Sequence, residues 1–321
     1  MTQAKSPSPW RGVFPVLSTP FSADDAIDSA ALKREIDWIY RHGVQGIVVG
    51  MVSEVLKLDD GERRLLAEQV VEFNQGRGRT VISVGAESTP ATLRFARHAE
   101  QLKAGAVMAI PPTTVSLTEQ QTYKYYATLI EAIEIPVVVQ DASGYVGQPL
   151  STSMQARLVN KYGHDRVFLK PEAPPLGPRL SALLAETGGA ATIFEGSGGI
   201  GLIDSHRRGA KGTMPGADVC WAVSALWRAL EERDDDRAYA IGGTLALLVS
   251  IQTSLDSFIA VEKHLLVGQG VFGTERMREP LGYVLDAETR SEVDRLFHRL
   301  HKQTSSDATS VNPSSKNLVG R

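Results

Sequence analysis

The sequence contains a single cysteine, Cys220, among its 321 residues. One cysteine cannot form a disulfide within the chain, and such scarcity fits a reducing compartment. Cys220 precedes Trp221, and a lone cysteine in an apolar setting is more often a small core residue than a nucleophile. We therefore expect a fold that is held together by its core rather than by covalent cross-links.

Long apolar runs and an excess of one charge are also lacking. No stretch approaches the ~20 apolar residues that span a bilayer, and the opening "MTQAKSPSPW" lacks the apolar centre of a signal peptide. The net charge of −3 gives no reason to expect nucleic acid or an anionic membrane as a partner. The seven histidines show no metal-ligand spacing. We expect a cytoplasmic protein without a metal.

What the sequence does contain is an alternation of short β-branched runs with segments of helical periodicity. One helix is predicted over 28–43, with Asp28 as N-cap and Gly43 as stop. This alternation is typical of parallel strands joined by helices, and eight strands favour a (β/α)₈ barrel over a doubly wound open sheet. The eight predicted strands are 12–18, 46–50, 80–86, 106–111, 135–141, 166–170, 191–196 and 210–216.

The alternation divides the chain into four parts. Residues 11–216 form the predicted barrel, and residues 217–302 show only helical periodicity, which predicts a C-terminal helical extension. Residues 1–10 and 303–321 are polar and aperiodic, and they are predicted to be disordered tails because they offer little apolar area to bury.

Lys170 ends the sixth predicted strand, where a barrel enzyme carries its active site. An ammonium group in a dry cavity loses hydration, which lowers its pKa and leaves more free amine. A free amine attacks a ketone to form a Schiff base, and the iminium then accepts electrons. The alternative is an exposed lysine that pairs with Glu172 or Glu195.

Two motifs carry a resemblance to a known family. "PVLSTPFSADD" places Thr-Pro-Phe at 19–21 after strand 1, and "GMVSE" at 50–54 follows strand 2. Over roughly residues 12–295 the sequence resembles the dihydrodipicolinate synthase / N-acetylneuraminate lyase family. The resemblance implies a (β/α)₈ barrel with C-terminal helices, assembled as a homo-oligomer (tetramer or dimer). It also implies that Lys170 forms the imine with a 2-oxo acid and that no cofactor is needed.

The sequence departs from this family at strand 5. Gln140 stands where the family's proton-relaying tyrosine is expected, and Tyr145 stands where the synthase has an arginine that binds a carboxylate. An amide has no usable acidity near neutral pH. These differences argue against dihydrodipicolinate synthase activity and leave Gln140 as a catalytic candidate of altered role.

The remaining candidates are substrate-binding residues that the resemblance places around the lysine. The "GMVSE" loop would hold the substrate carboxylate through backbone N–H groups and a hydroxyl, with Glu54 supporting the loop. The glycine-rich loop after strand 7 would leave room for distal hydroxyls, or is only a structural turn, and the end of strand 8 would contact the pyruvyl part. The residues concerned are Val52, Ser53, Glu54, Tyr145, Gly196, Ser197 and Met214.

The Ser-Glu loop combined with Gln-Asp-Ala at strand 5 resembles the branch that contains 2-keto-3-deoxyarabonate dehydratase. "PEAPPLGP" after the lysine offers fewer polar groups than that branch usually has. The predicted function is a Schiff-base lyase that dehydrates a 2-keto-3-deoxy sugar acid. The alternatives are a pyruvate-releasing aldolase and a family member that binds a 2-oxo acid without turning it over.

Overall fold

Eight short parallel strands form the sheet of the molecule. A computed structural model describes residues 10–305, and around the sheet the strand order is β1-β8-β7-β6-β5-β4-β3-β2. All seven neighbouring pairs in this order run parallel. The strands are β1 Gly12–Val13, β2 Gly46–Val48, β3 Arg79–Ser83, β4 Ala106–Ala109, β5 Val137–Asp141, β6 Val167–Pro171, β7 Thr192–Glu195 and β8 Gly212–Thr213.

A helix follows every strand, and the local sequence determines where several of the helices begin. The side chain of Asp28 accepts a hydrogen bond from the N–H of Ala31 at 2.9 Å, so the predicted N-cap of the first helix is confirmed. The helices are α1 Ser29–Tyr40, α2 Asp60–Asn74, α3 Thr89–Gln101, α4 Glu119–Glu131, α5 Thr152–Tyr162, α6 Leu176–Glu186, α7 Leu202–Arg207, α8 Cys220–Glu232, α9 Asp235–Ser250, α10 Leu255–Gly268 and α11 Ala287–Ser305.

The sheet closes on itself between β1 and β2. β1 is short because Pro15 has no N–H to donate to a neighbouring strand. The carbonyl of Pro15 still accepts from the N–H of Val48 at 2.9 Å, and the N–H of Leu17 donates to the carbonyl of Val48 at 2.8 Å. The predicted (β/α)₈ barrel is therefore confirmed.

Large apolar side chains fill the inside of the barrel. Phe14, Phe168 and Phe194 are buried there, and the ring of Trp10 lies 4.9 Å from that of Phe168. Because side chains alternate along a strand, the residue two positions after Phe168 also points inward. Lys170 therefore continues the interior layers toward the carboxyl ends of the strands.

The C-terminal extension differs in part from the prediction. It contains four helices, α8 to α11, but residues 269–286 between α10 and α11 form no regular element. Gly270 has a positive φ of 70°, and Pro280 cannot donate a helical hydrogen bond, so the apolar periodicity does not become a helix. We call residues 269–286 the C-terminal strap.

The strap is tied to the loops after β1 and β2. The N–H of Arg278 donates to Glu54 at 2.8 Å, and the Arg278 guanidinium pairs with Glu62 at 2.7 Å. Arg276 pairs with Asp25 at 2.7 Å. The strap therefore holds the loops that border the mouth of the barrel.

Most of the two predicted tails, residues 1–9 and 306–321, lies outside the described residues. The structure assigns Trp10 to the barrel and residues 303–305 to α11. Among the described residues, no single helix has the length and apolar character to cross a membrane. The bent pair α9 and α10 passes that test on length and composition when the two helices are taken together, with an angle of 120° between them.

Candidate active site

A narrow cavity lies at the carboxyl ends of the strands, with Lys170 on its wall. Its volume is about 30 Å³, enough for a water or two. Of the predicted site residues, the structure brings six to this cavity: Val52, Gln140, Tyr145, Lys170, Gly196 and Met214. The sequence prediction of a buried rather than an exposed lysine agrees with the 5% exposure of Lys170.

Lys170 faces Glu172, a carboxylate that the sequence prediction named only as a partner of an exposed lysine and not as a site residue. The Nζ of Lys170 lies 3.0 Å from Oε1 of Glu172, and the same oxygen accepts from Nε2 of Gln140 at 2.8 Å. Burial raises the pKa of the Glu172 carboxyl, while the lysine charge and these hydrogen bonds oppose the increase. Gln140 thus orients the Glu172 carboxylate beside the amine.

The alternation of side chains along β6 could have revealed Glu172. The strand continues through Pro171, which pairs in register with Asp141. Phe168, Lys170 and Glu172 are spaced two residues apart, so all three point into the barrel. The direction of Glu172 was missed because the predicted strand ended at Lys170. The "PEAPPLGP" segment, which was expected to offer few polar groups, therefore brings a carboxylate to the cavity.

Gly196 makes room for both charged groups. A Cβ atom at Gly196 would lie 2.6 Å from Cγ of Glu172 and 3.1 Å from Cε of Lys170. These separations are shorter than non-bonded carbon contacts allow, so any side chain here would displace the pair. Gly196, in the glycine-rich loop after β7, therefore leaves the space that the side chains of Glu172 and Lys170 occupy.

Ser197, in contrast, does not reach the cavity wall. Its N–H donates to Oε1 of Glu195 at 2.6 Å and its hydroxyl bonds the same oxygen, while the hydroxyl of Thr213 donates to Oε2 at 2.7 Å. Glu195 is fully buried by these contacts. Ser197 and Glu195 therefore fix the shape of the loop after β7 without lining the cavity.

The turn after β2 meets the cavity through its first residues. Met51 and Val52 line the cavity, whereas the hydroxyl of Ser53 donates to the carbonyl of Leu17 and accepts from the N–H of Gly50. Ser53 is completely buried and lies off the cavity wall. Its hydroxyl therefore fixes the shape of the turn and is not free to bind a carboxylate.

Glu54 also supports this turn from behind. It adopts a left-handed conformation with φ of 56° and forms a fully buried ion pair with Lys263 of α10. Lys263 also donates to the carbonyl of Arg276 in the strap at 2.6 Å. Lys263 is thus the partner through which Glu54 would support the turn, and no short-range sequence signal pointed to this lysine.

Two further buried carboxyl groups, Glu35 and Glu262, lie near Lys263, and a third lies near both of them. Glu35 accepts from the N–H of Ser18 at 2.8 Å, and Glu262 accepts from the N–H of Ala217 at 2.7 Å. Burial raises the pKa of Glu35, of Glu262 and of the third group, Asp218, whose pKa is about 7. Within residues 10–305, no set of three or more His, Cys, Asp or Glu side chains is arranged to hold a metal ion.

A (β/α)₈ barrel with a buried lysine–glutamate pair at the carboxyl ends of its strands has the architecture of a barrel enzyme. Comparison with known proteins specifies the family. The chain matches the Dihydrodipicolinate synthetase family over residues 9–300. It is 30% identical over 305 residues to an L-2-keto-3-deoxyarabonate dehydratase of Azospirillum brasilense, covering 94% of this chain and 97% of the relative. The chain belongs to this family and is a lyase.

Two other relatives support the same assignment. A 4-hydroxy-tetrahydrodipicolinate synthase of Rhodospirillum centenum is 27% identical over 234 residues, covering 70% of this chain and 80% of the relative. The crystal structure of a dihydrodipicolinate synthase from Rhodopseudomonas palustris superposes with a TM-score of 0.83 at 25% identity, covering 92% of this chain and all of that one (100%). The resemblance that the sequence motifs indicated is confirmed.

Proposed function

We propose that the protein is a Schiff-base lyase that acts on a 2-oxo acid and removes water from a 2-oxo-3-deoxy sugar acid. One observation carries the proposal: the Nζ of a buried lysine at the end of β6 lies 3.0 Å from a buried carboxylate, on the wall of one cavity. Such a pair supplies both the nucleophile and the proton acceptor that imine chemistry needs. The reaction requires no cofactor beyond the covalent imine on Lys170.

Glu172 is the proton acceptor for the amine. Its Oε1 lies 3.0 Å from Nζ of Lys170, so the carboxylate is placed to take the ammonium proton as the amine attacks. The neutral amine then attacks the 2-oxo carbon, and the substrate oxygen leaves as water after protonation. The product of this step is an iminium between Nζ and C2 of the substrate.

The iminium then acts as the electron sink for elimination. The Glu172 carboxylate removes a proton from C3, and the C3–H electron pair forms an enamine. The nitrogen lone pair then restores the iminium, and the C2–C3 π pair forms a C3–C4 double bond as the C4–O bond breaks with its electrons going to oxygen. The C4 hydroxyl leaves as water once it is protonated. Hydrolysis of the conjugated iminium releases the dehydrated product and restores the lysine.

The chemistry at strand 5 favours dehydration over aldol cleavage. Cleavage of the C3–C4 bond needs a base that removes the proton of the C4 hydroxyl, and the β5 residue that lines the cavity is the amide Gln140, which cannot act as that base. Gln140 instead donates to Glu172. The similarity to the Azospirillum brasilense dehydratase, which covers nearly the whole chain, also supports dehydration.

The turn after β2 is the proposed site of the substrate carboxylate. Met51 and Val52 line the cavity, and their backbone N–H groups would bind the carboxylate. Ser53 and Glu54 hold the turn through Leu17 and Lys263 and contribute indirectly. On the opposite side, Gly196 and Met214 would border the pyruvyl part of the substrate.

Reductive trapping tests the imine. The protein is incubated with pyruvate and borohydride, and the adduct is mapped by mass spectrometry. We expect a reduced pyruvyl group on Lys170 and none on Lys263, a second buried lysine, which is paired with Glu54 away from the cavity. The variant K170M should form no adduct. Lack of an adduct on Lys170 in the unmodified protein would refute the proposal.

The products decide between the catalytic alternatives. A panel of 2-oxo-3-deoxy sugar acids is screened for loss of water and for release of pyruvate. Pyruvate release would show an aldolase, and an adduct without any turnover would show a binding protein. We further propose that the protein is cytoplasmic and forms a homo-oligomer. Sedimentation velocity of the purified chain tests the oligomeric state.

A further inference from the structure

One buried carboxylate closes the loop that follows β5. The loop spans residues 142–150, and we call it the β5 loop. Asp141 accepts from the N–H and the hydroxyl of Ser143, at 3.3 and 2.7 Å, and from the N–H of Leu150 at 3.1 Å. Asp141 is fully buried. Both ends of the β5 loop are therefore fixed to the same side chain.

Arg179 of α6 completes this arrangement. Its Nη2 lies 3.0 Å from Oδ2 of Asp141, and it also donates to the carbonyl of Leu150. A buried carboxylate is costly without a cationic partner, so the two charges stabilise each other and the loop end together. Asp141 and Arg179 thus form a clamp at the base of the β5 loop.

The clamped loop carries Tyr145 to the cavity. Tyr145 lines the cavity together with Lys170 and Glu172, and it packs in a cluster that includes Met51 and Leu255. Burial and the charge of Glu172 raise the pKa of Tyr145 to about 12. The phenol therefore keeps its proton at neutral pH, in the same cavity as Lys170 and Glu172.

We propose that Asp141 and Arg179 are positioning residues that hold Tyr145 in the cavity, and that the Tyr145 hydroxyl gives its proton to the departing C4 hydroxyl of the substrate. This inference rests on the proposed function. The C4–O bond breaks with both electrons going to oxygen, and the tyrosine proton completes a water molecule. Glu172, which received the C3 proton, returns that proton to the tyrosine oxygen, so one water is lost in total and the protein is restored.

Pyruvate separates this role from imine formation because it has no C4. In Y145F, we expect trapping of pyruvate on Lys170 at a rate close to that of the unmodified protein. Turnover of the 2-oxo-3-deoxy acid should fall in kcat by about 10²-fold, the usual effect of losing one transition-state donor. The pyruvate adduct also reports that the barrel and cavity of the variant are intact.

The clamp is tested with R179M and R179K. We expect kcat of R179M to fall by about tenfold or more, again with normal pyruvate trapping, and R179K to recover part of the loss because it keeps one contact to Asp141. In the Y145F background, R179M should have little further effect, because the clamp acts through the tyrosine. R207M, which breaks the exposed Arg207–Asp235 pair, is the matched control and should keep full turnover.

The possible results separate the roles of Tyr145, Arg179 and the imine. An adduct on Lys170 with full turnover by Y145F overturns the role of Tyr145 and leaves the proposed function in place. Equal losses caused by R179M with and without the tyrosine hydroxyl overturn the positioning role of Arg179. Absence of the pyruvate adduct in the unmodified protein overturns the proposed function, and this inference with it.

Discussion

Replacing Asp218 with asparagine should remove a pH dependence of stability that this carboxyl causes. Asp218 is 1% exposed and lies beside Glu262, because a Cβ atom at Gly216 would be 2.7 Å from Oδ1 of Asp218 and 3.1 Å from Oε1 of Glu262. Burial raises its pKa from 3.8 to about 7. The variant D218N keeps the shape of the side chain and loses the titrating proton.

The sign of the effect follows from where the proton is bound. Between pH 4 and pH 7 the folded protein holds the Asp218 proton and the unfolded chain does not, so unfolding releases it. The free energy of unfolding therefore falls as pH rises, by about 1.4 kcal/mol per pH unit for one group. The stabilisation is complete below about pH 4, and over the whole shift it amounts to roughly 4 kcal/mol.

The measurement is urea unfolding followed by circular dichroism at one protein concentration and several pH values. Between pH 5 and pH 7, the free energy of unfolding of D218N relative to the unmodified protein should rise by about 2 kcal/mol, because Asp218 is half ionised at its pKa of about 7. D165N, at a side chain that is 89% exposed, should leave the profile unchanged. Parallel pH profiles for D218N and the unmodified protein would refute the claim that Asp218 is protonated in the fold.

Four further variants test the charged groups on the cavity wall and the buried Glu54–Lys263 pair. E172Q should lower kcat by about 10²- to 10⁴-fold because the amide cannot exchange protons, and near-normal turnover would contradict its role. G196A should slow pyruvate trapping at least tenfold by displacing Glu172 and Lys170, and trapping at the original rate would show that the cavity yields. K263M should destabilise the protein by about 3–5 kcal/mol because it leaves the buried Glu54 charge without a partner. E54Q/K263M should recover part of this loss, and equal free energies of unfolding for K263M and E54Q/K263M would contradict the role of the pair.

The barrel could be predicted from the sequence because its signal is local. Each β-branched run and each helical segment falls within a few residues, and their order alone predicts parallel strands with crossovers. Lys170 could be placed for the same reason, since it ends such a run. The resemblance to a family then added the imine chemistry.

The parts that escaped prediction depend on contacts between distant positions. Nothing near Glu54 indicates that Lys263 is its partner, and Ser53 looked available for a carboxylate until the structure placed its hydroxyl against Leu17. The strap at 269–286 has apolar periodicity, yet Gly270 and Pro280 prevent a helix there. Glu172 is different, because the alternation of β6 predicts its direction once the pattern is continued two residues beyond Lys170.

The ion pair between Glu54 and Lys263 also dictates when the site can become complete during synthesis. The ribosome finishes the last strand of the barrel at Thr213, so every strand is available for pairing before Lys263 and Arg278 have been made. The turn that borders the cavity must wait for a partner 209 positions later in the chain. A nascent chain can thus form its sheet while the turn after β2 is still unanchored, and activity arises only when the final third of the protein has reached the mouth of the barrel.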